Sequence, residues 1–89
     1  MYQQERTTVA TRADLTEWVY EAVRENGGQA SLLEVAKAIW SKHEAALRGS
    51  GDLFFTWQYD MRWSAQTLRN TGKFKAINES PRHIWQIVP

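Results

Sequence analysis

The hydrophobic side chains repeat with a helical period in three successive segments, and after Gly72 they alternate with polar residues. Apolar residues spaced three and four apart form one face of an α-helix, whereas strict alternation is typical of a half-buried strand. A chain of 89 residues is long enough for one hydrophobic core and too short for two. The pattern therefore predicts a single α+β domain with three helices followed by a short β element.

The first two predicted helices have recognisable ends. Asp14 and Glu17 predict the N-terminal cap of helix one, because their oxygens can accept from the free amides of a first turn. Ser31 and Glu34 predict the same cap for helix two, which extends to Gly49. The asparagine and two glycines at 26–28 end helix one, since glycine adopts positive φ easily. The apolar stripes contain Leu15, Trp18, Val19, Ala22 and Val23, then Leu32, Val35, Ala36, Ile39, Trp40, His43 and Leu47.

A third helix is predicted over residues 56–70, after a glycine-containing loop at 48–52. Residues 73–77 and 84–88, separated by turn residues at 78–81, are predicted to pair as an antiparallel hairpin. Residues 29–30 leave room for one β-bridge. Three helices followed by a hairpin is the order of a winged helix-turn-helix domain, predicted here over residues 13–89 after a loose arm at 1–12. The apolar face of the third helix contains Trp57, Met61, Ser64, Ala65 and Leu68.

The side-chain inventory argues against an enzyme. The chain has no cysteine and only two histidines, which excludes a thiol nucleophile and a cysteine-based zinc site. His43 lies on the apolar stripe of helix two and is predicted to be partly buried, while His83 lies beside Arg82 and is expected to be solvated. No metal or cofactor is predicted. Since no apolar run approaches the ~20 residues of a membrane span and no leader is recognisable, we expect a cytoplasmic protein, nucleoid-associated when bound to DNA.

The charges are unevenly distributed along the chain. Residues 1–45 carry five basic and seven acidic side chains, whereas residues 46–89 carry six basic and three acidic ones. A basic segment in a nearly neutral protein is typical of a polyanion-binding surface. Arginine can pair with guanine or phosphate, and asparagine or glutamine with adenine. We therefore expect double-stranded DNA binding by the helix-three residues Arg62, Gln66, Arg69 and Asn70, and by Lys73, Lys75 and Arg82 on phosphates.

Two large rings on the polar face of helix three leave an alternative open. A merely solvated face would explain the polar residues there, but it would not explain Tyr59 and Trp63. Trp63 could pack under the wing, contact a ligand, or mediate self-association. The alternative function is a protein–protein interaction module of the same fold, in which Tyr59 and Trp63 are the anchors.

The sequence of residues 62–72 also carries a recognisable pattern. Trp63 is followed by the small Ser64, then by Leu68 and Gly72. This pattern resembles the recognition-helix segment of the amino-terminal domain of Mrr-type restriction endonucleases. Residues 82–88 are similar to the wing of that family, except that His83 replaces a glycine and Val88 a threonine. The resemblance covers residues 53–88 and implies a winged helix that recognises DNA in restriction, defence or transcription regulation. Cleavage is not carried over from the family, because the resemblance does not extend to a nuclease domain.

Overall fold

A computed structural model describes residues 10–89 of the chain. Of the predicted arm at 1–12, residues 1–9 lie outside this range, while Arg12 is the first residue of a helix. The α+β prediction is confirmed: three helices accompany a two-stranded antiparallel sheet. The elements in chain order are α1 (Arg12–Glu25), β1 (Gln29–Ser31), α2 (Leu32–Arg48), α3 (Leu53–Asn70), a 3-10 helix (Ile77–Glu79) and β2 (Ile84–Gln86).

The cap of α1 lies three residues before the predicted one. The Thr11 hydroxyl accepts from the Asp14 amide, and the Asp14 carboxylate accepts from the Thr11 amide, both at 3.1 Å. Asp14 is therefore the N3 residue of a capping box rather than the N-cap, because threonine supplies an equally suitable oxygen. The predicted box of Ser31 and Glu34 at the start of α2 is confirmed.

The third helix begins earlier than the sequence pattern indicated. α3 starts at Leu53, so Phe54 and Phe55 lie on the helix and not before it. Gly51, with φ of 65°, turns the chain, and its carbonyl already accepts from the Phe54 amide at 3.0 Å. The predicted apolar face is buried, and Gly72 follows the helix with φ of 82°. Because the helical phase is as predicted, the polar face of α3 points away from the core.

The sheet differs from the predicted hairpin. β2 pairs with β1, with Trp85 opposite Ala30. Residues 73–77 are not a strand: Phe74 forms an isolated bridge with Ile87, and the Lys75 amide donates to the Gln86 carbonyl at 2.8 Å. After this bridge the chain turns into the 3-10 helix, which leaves Ile77 74% exposed. The alternation of apolar residues predicted a strand, but only Phe74 of that segment is buried in the core.

The core forms mainly where α1 packs against α3. Leu15, Val19 and Val23 on α1 are fully buried, as is Met61 on α3. Phe74 and Trp85 are buried at one end of the core with their ring centroids 6.3 Å apart. This packing fixes the orientation of α3, so that the opposite face of the helix borders a groove.

Candidate nucleic-acid interface

An open groove of about 870 Å³ separates α3 from the beginning of α2 and from residues 77–85. Three arginines line it: Arg62 and Arg69 on α3, and Arg82 on the opposite wall. No aspartate or glutamate is among the described residues that line the groove. Within residues 10–89, none of the three arginines forms an ion pair. The groove therefore has a surplus of positive charge on a concave surface, which attracts polyanions.

Three of the predicted site residues take part in hydrogen bonds through their side chains. The Arg69 Nε donates to the Lys75 carbonyl oxygen at 3.3 Å, which fixes one edge of this half-buried guanidinium. The Gln66 Nε2 donates to the Asn70 Oδ1 at 3.0 Å, and both side chains are exposed. Arg62 and Arg82 are exposed to solvent. The structure thus brings Arg62, Gln66, Arg69 and Arg82 to one groove, with Asn70 attached to it through Gln66.

The two lysines predicted to contact phosphates lie outside the lining of the groove. The Lys73 Nζ lies 5.8 Å from the centroid of the Tyr20 ring on α1, a cation–π distance. Lys75 is half-buried, and its amide and carbonyl are both used in hydrogen bonds. Any contribution from Lys73 to the groove is therefore long-range.

His83 is exposed, as predicted, and it lines the groove. Its φ of 64° lies in the left-handed region, where glycine is the least strained residue. Ser31 and Leu33, from the start of α2, also line the groove. No signal in the sequence predicted that these two residues line the groove, because their position depends on how α2 packs against α3.

Three aromatic residues extend along the exposed side of α3 at intervals of four residues. This aromatic stripe contains Phe55, 82% exposed, Tyr59, 77% exposed, and Trp63, 44% exposed. The Arg12 guanidinium carbon of α1 lies 4.4 Å from the centroid of the Trp63 ring, a cation–π distance. The ring thus contacts α1, and nearly half of its surface stays exposed.

His43, on α2, does not line the groove. Its ring stacks on Trp18, with centroids 3.9 Å apart and the planes 5° from parallel. Burial lowers the pKa of His43, and Lys42 lowers it further, while Glu21 and Glu25 partly oppose them. The predicted partial burial of His43 is thus confirmed.

Neither a metal site nor a membrane span is found among the described residues. Within residues 10–89, no group of three or more His, Cys, Asp or Glu side chains could hold a metal ion. No helix in that range is both long and apolar enough to cross a membrane. Comparison of the chain with protein-family models, with curated proteins and with solved structures gives no match. The interpretation of the groove therefore depends on its own geometry.

Proposed function

We propose that this protein is a winged helix-turn-helix domain that binds double-stranded DNA. In this proposal α3 enters the major groove, which is wide enough for one helix, and residues 77–83 act as the wing on the backbone. The observation that carries the proposal is the groove beside α3, in which Arg62, Arg69 and Arg82 lack acidic partners among the described residues. Phosphates are the ligands that best match several unpaired guanidinium groups on one concave surface.

The order of the elements supports the winged-helix part of the proposal. β1 lies between α1 and α2 and pairs with β2, and Phe74 forms an isolated bridge with Ile87. In the resemblance to the amino-terminal domain of Mrr-type endonucleases, His83 stands at a family glycine. His83 has φ of 64°, and Gly72, at the end of the helical pattern, has φ of 82°. A role in recognising DNA for restriction, defence or transcription regulation follows from that resemblance.

We divide the predicted contacts by their position relative to the groove. Arg62, Arg69 and Arg82, which line it, are assigned to phosphates, and Gln66 and Asn70 are assigned to base edges. Such phosphate contacts supply affinity and orientation, whereas base contacts supply specificity. Lys73 and Lys75 are assigned a smaller, long-range contribution, because neither lines the groove.

Fluorescence anisotropy with a mixed-sequence 20-base-pair duplex at increasing salt tests the proposal. Three phosphate contacts give a slope of log K against log salt of about −2.7, or a loss of about 40-fold between 50 and 200 mM. Arg62→Ala and Arg82→Ala should each flatten the slope by about 0.9. Arg24→Ala, an exposed residue of α1 away from the groove, is the matched control and should leave it unchanged.

A slope shallower than about −1 that neither groove substitution changes would contradict DNA binding through this groove. If Arg24→Ala weakened binding as much as Arg62→Ala and Arg82→Ala do, that result would also contradict binding through the groove. The interaction would then depend on the overall charge of the protein alone.

The second candidate is a protein–protein interaction module. The observation in its favour is the aromatic stripe, because Phe55 and Tyr59 are more than three-quarters exposed. Large exposed rings are typical of interface anchors. Under this alternative Tyr59→Ala weakens self-association, measured by sedimentation, without changing the melting temperature. Monomeric wild-type protein that binds duplex DNA with the expected salt slope favours the first candidate.

A further inference from the structure

The exposed face of α3 has an uncharged centre and one charged flank, on the side of the groove. At 100° per residue, Phe55, Tyr59, Gln66 and Asn70 lie within about 30° of the direction opposite the buried face. We call these four residues the centre line. Arg62 and Arg69 lie about 50–70° to the side of the groove. A helix in the major groove points its centre toward the bases and its flanks toward the phosphate walls, so the centre line is positioned for base readout.

The Gln66 amide makes one side-chain hydrogen bond on its own helix. Its Nε2 donates one hydrogen to the Asn70 Oδ1 at 3.0 Å, which leaves the Oε1 acceptor and the second Nε2 hydrogen free. Adenine presents one acceptor, N7, and one donor, the N6 amino group, in the major groove. Guanine presents two acceptors there, so a single amide satisfies both groups of adenine but only one of guanine.

Tyr59 lies seven residues before Gln66, about 10.5 Å along the helix axis, which is the rise of about three base pairs. Its ring is 77% exposed and lies in the centre line beside Phe55. Apolar surface in the major groove contacts the thymine methyl group, which cytosine lacks. The acidic residue that could read cytosine is absent from this face, because the single acid of α3, Asp60, is buried and bound to Arg12.

We propose that α3 selects A·T base pairs, with Gln66 reading adenine and Tyr59 contacting a thymine methyl group. Asn70 is the positioning residue of Gln66, and the arginines hold phosphates. This inference rests on the proposed function, since it requires α3 to enter the major groove.

Anisotropy at 50 mM salt with 20-base-pair duplexes of equal length tests the selection. A duplex of A·T pairs should bind about 5- to 100-fold more tightly than one of G·C pairs. Two modified A·T duplexes keep base pairing and change one group each. Replacing adenine by 7-deazaadenine removes N7 and should weaken binding about fivefold or more. Replacing thymine by uracil removes the methyl group and should weaken binding about fourfold.

Substitutions assign each effect to its residue. Gln66→Ala should abolish the effect of 7-deazaadenine and keep the effect of uracil. Tyr59→Ala should abolish the effect of uracil and keep the effect of 7-deazaadenine. Asn70→Ala should reduce the 7-deazaadenine effect without changing the salt slope, which distinguishes positioning from a phosphate contact. Gln58→Ala, an exposed residue of α3 outside the lining of the groove, is the matched control and should change neither effect. Melting curves verify that each variant is folded.

The possible failures are distinguishable. Salt-dependent binding that is equal for all four duplexes overturns A·T selection and leaves the proposed function intact. Tighter binding to the G·C duplex also overturns it, and assigns base reading to Arg62 or Arg69. If no duplex binds at 50 mM salt, both the selection and the proposed function are wrong.

Discussion

The two faces of α3 differ in how their polar groups are paired. On the face toward α1, the buried Asp60 carboxylate accepts from the Thr56 hydroxyl at 2.8 Å and from the Arg12 Nη2 at 3.4 Å. The Ser64 hydroxyl, also buried, accepts from the Thr16 hydroxyl at 3.0 Å. On the opposite face, Arg62 lines the groove together with Arg82 and no described carboxylate.

This difference follows from the cost of removing polar groups from water. A buried donor or acceptor without a partner costs about 1–3 kcal/mol, so a packed face must pair its polar groups. Throughout residues 10–89, no buried side-chain nitrogen or oxygen lacks a hydrogen-bond partner. Arginines that remain hydrated have no such cost, and their surplus charge stays free for a ligand. Buried polar groups with partners therefore mark the structural face of α3, and arginines without an ion pair among the described residues mark the face proposed to bind.

The largest expected effect tests which face of α3 is buried. Leu68 is 4% exposed, so Leu68→Ala leaves a cavity in the core. We expect it to lower the free energy of unfolding by about 2–5 kcal/mol, measured by urea denaturation. Arg62→Ala, on the opposite face, should change it by less than about 0.5 kcal/mol. Equal effects of the two substitutions would mean that the assignment of the faces is wrong.

The next effect tests whether pairing on the packed face stabilises the fold. Asp60→Ala removes the acceptor of both Thr56 and Arg12, and should lower the free energy of unfolding by about 1–3 kcal/mol. Glu44→Ala is the control, since Glu44 pairs with Arg48 at the surface, where an ion pair contributes at most about 1 kcal/mol. The Asp60 side chain is 12% exposed, against 45% for Glu44. Similar losses in both variants would contradict the distinction between buried and exposed pairs.

A pH series extends the comparison to the contact between α1 and α2. Burial against Trp18 lowers the pKa of His43 below its ordinary value of 6.5, so the folded protein binds this proton less readily than the unfolded chain. The contribution of neutral His43 to the free energy of unfolding is therefore fully present above pH 6.5. It is lost as the pH falls below 6.5 and through the lower pKa of the folded state. Denaturation at pH 7.5 and 5.5 should show this loss. In His43→Phe, which keeps an aromatic ring but has no proton to bind, the loss should be smaller. Identical pH dependence in the two proteins would exclude His43 as its source.

The smallest effect concerns backbone strain at the border of the groove. His83 has φ of 64°, which glycine adopts without a Cβ clash. His83→Gly removes strain but gains freedom in the unfolded chain, so a net increase in stability of about 0.5–1 kcal/mol is expected. His83→Ala keeps the Cβ atom and should give no increase. A destabilised His83→Gly variant would indicate that the imidazole makes a stabilising contact.

Local signals were sufficient to predict the helices. The capping box of Ser31 and Glu34 and the glycine at 72 act within a few residues of the chain, so they depend little on tertiary structure. The apolar period of α3 also predicts that Arg62, Gln66 and Arg69 lie on its outer face. The predicted beginnings of α1 and α3 are each three residues too late. Thr11 rather than Asp14 caps α1, and α3 starts at Leu53 rather than at residue 56.

The neighbours of the candidate site could not be predicted in this way. Trp63 lies against Arg12, and Lys73 lies over Tyr20, because α1 packs alongside α3. Arg12 and Tyr20 are each more than forty positions from their partners Trp63 and Lys73 in the chain. A periodic pattern does not predict which other helix a side chain will contact. The same holds for Arg82, which the sequence assigned to a wing and the structure brings to a groove shared with α3.

The sequence by itself determined three helices, their main buried faces and a basic outer face on the third, because capping, glycine conformation and hydrophobic period are local properties. Tertiary structure decided that β2 pairs with Gln29–Ser31, that residues 73–77 contribute only a bridge, and that three arginines border one groove. These outcomes depend on backbone hydrogen bonds and packing between distant segments. An apolar alternation indicates that a segment can be a strand, but the partner that satisfies its amides is found only in the folded chain.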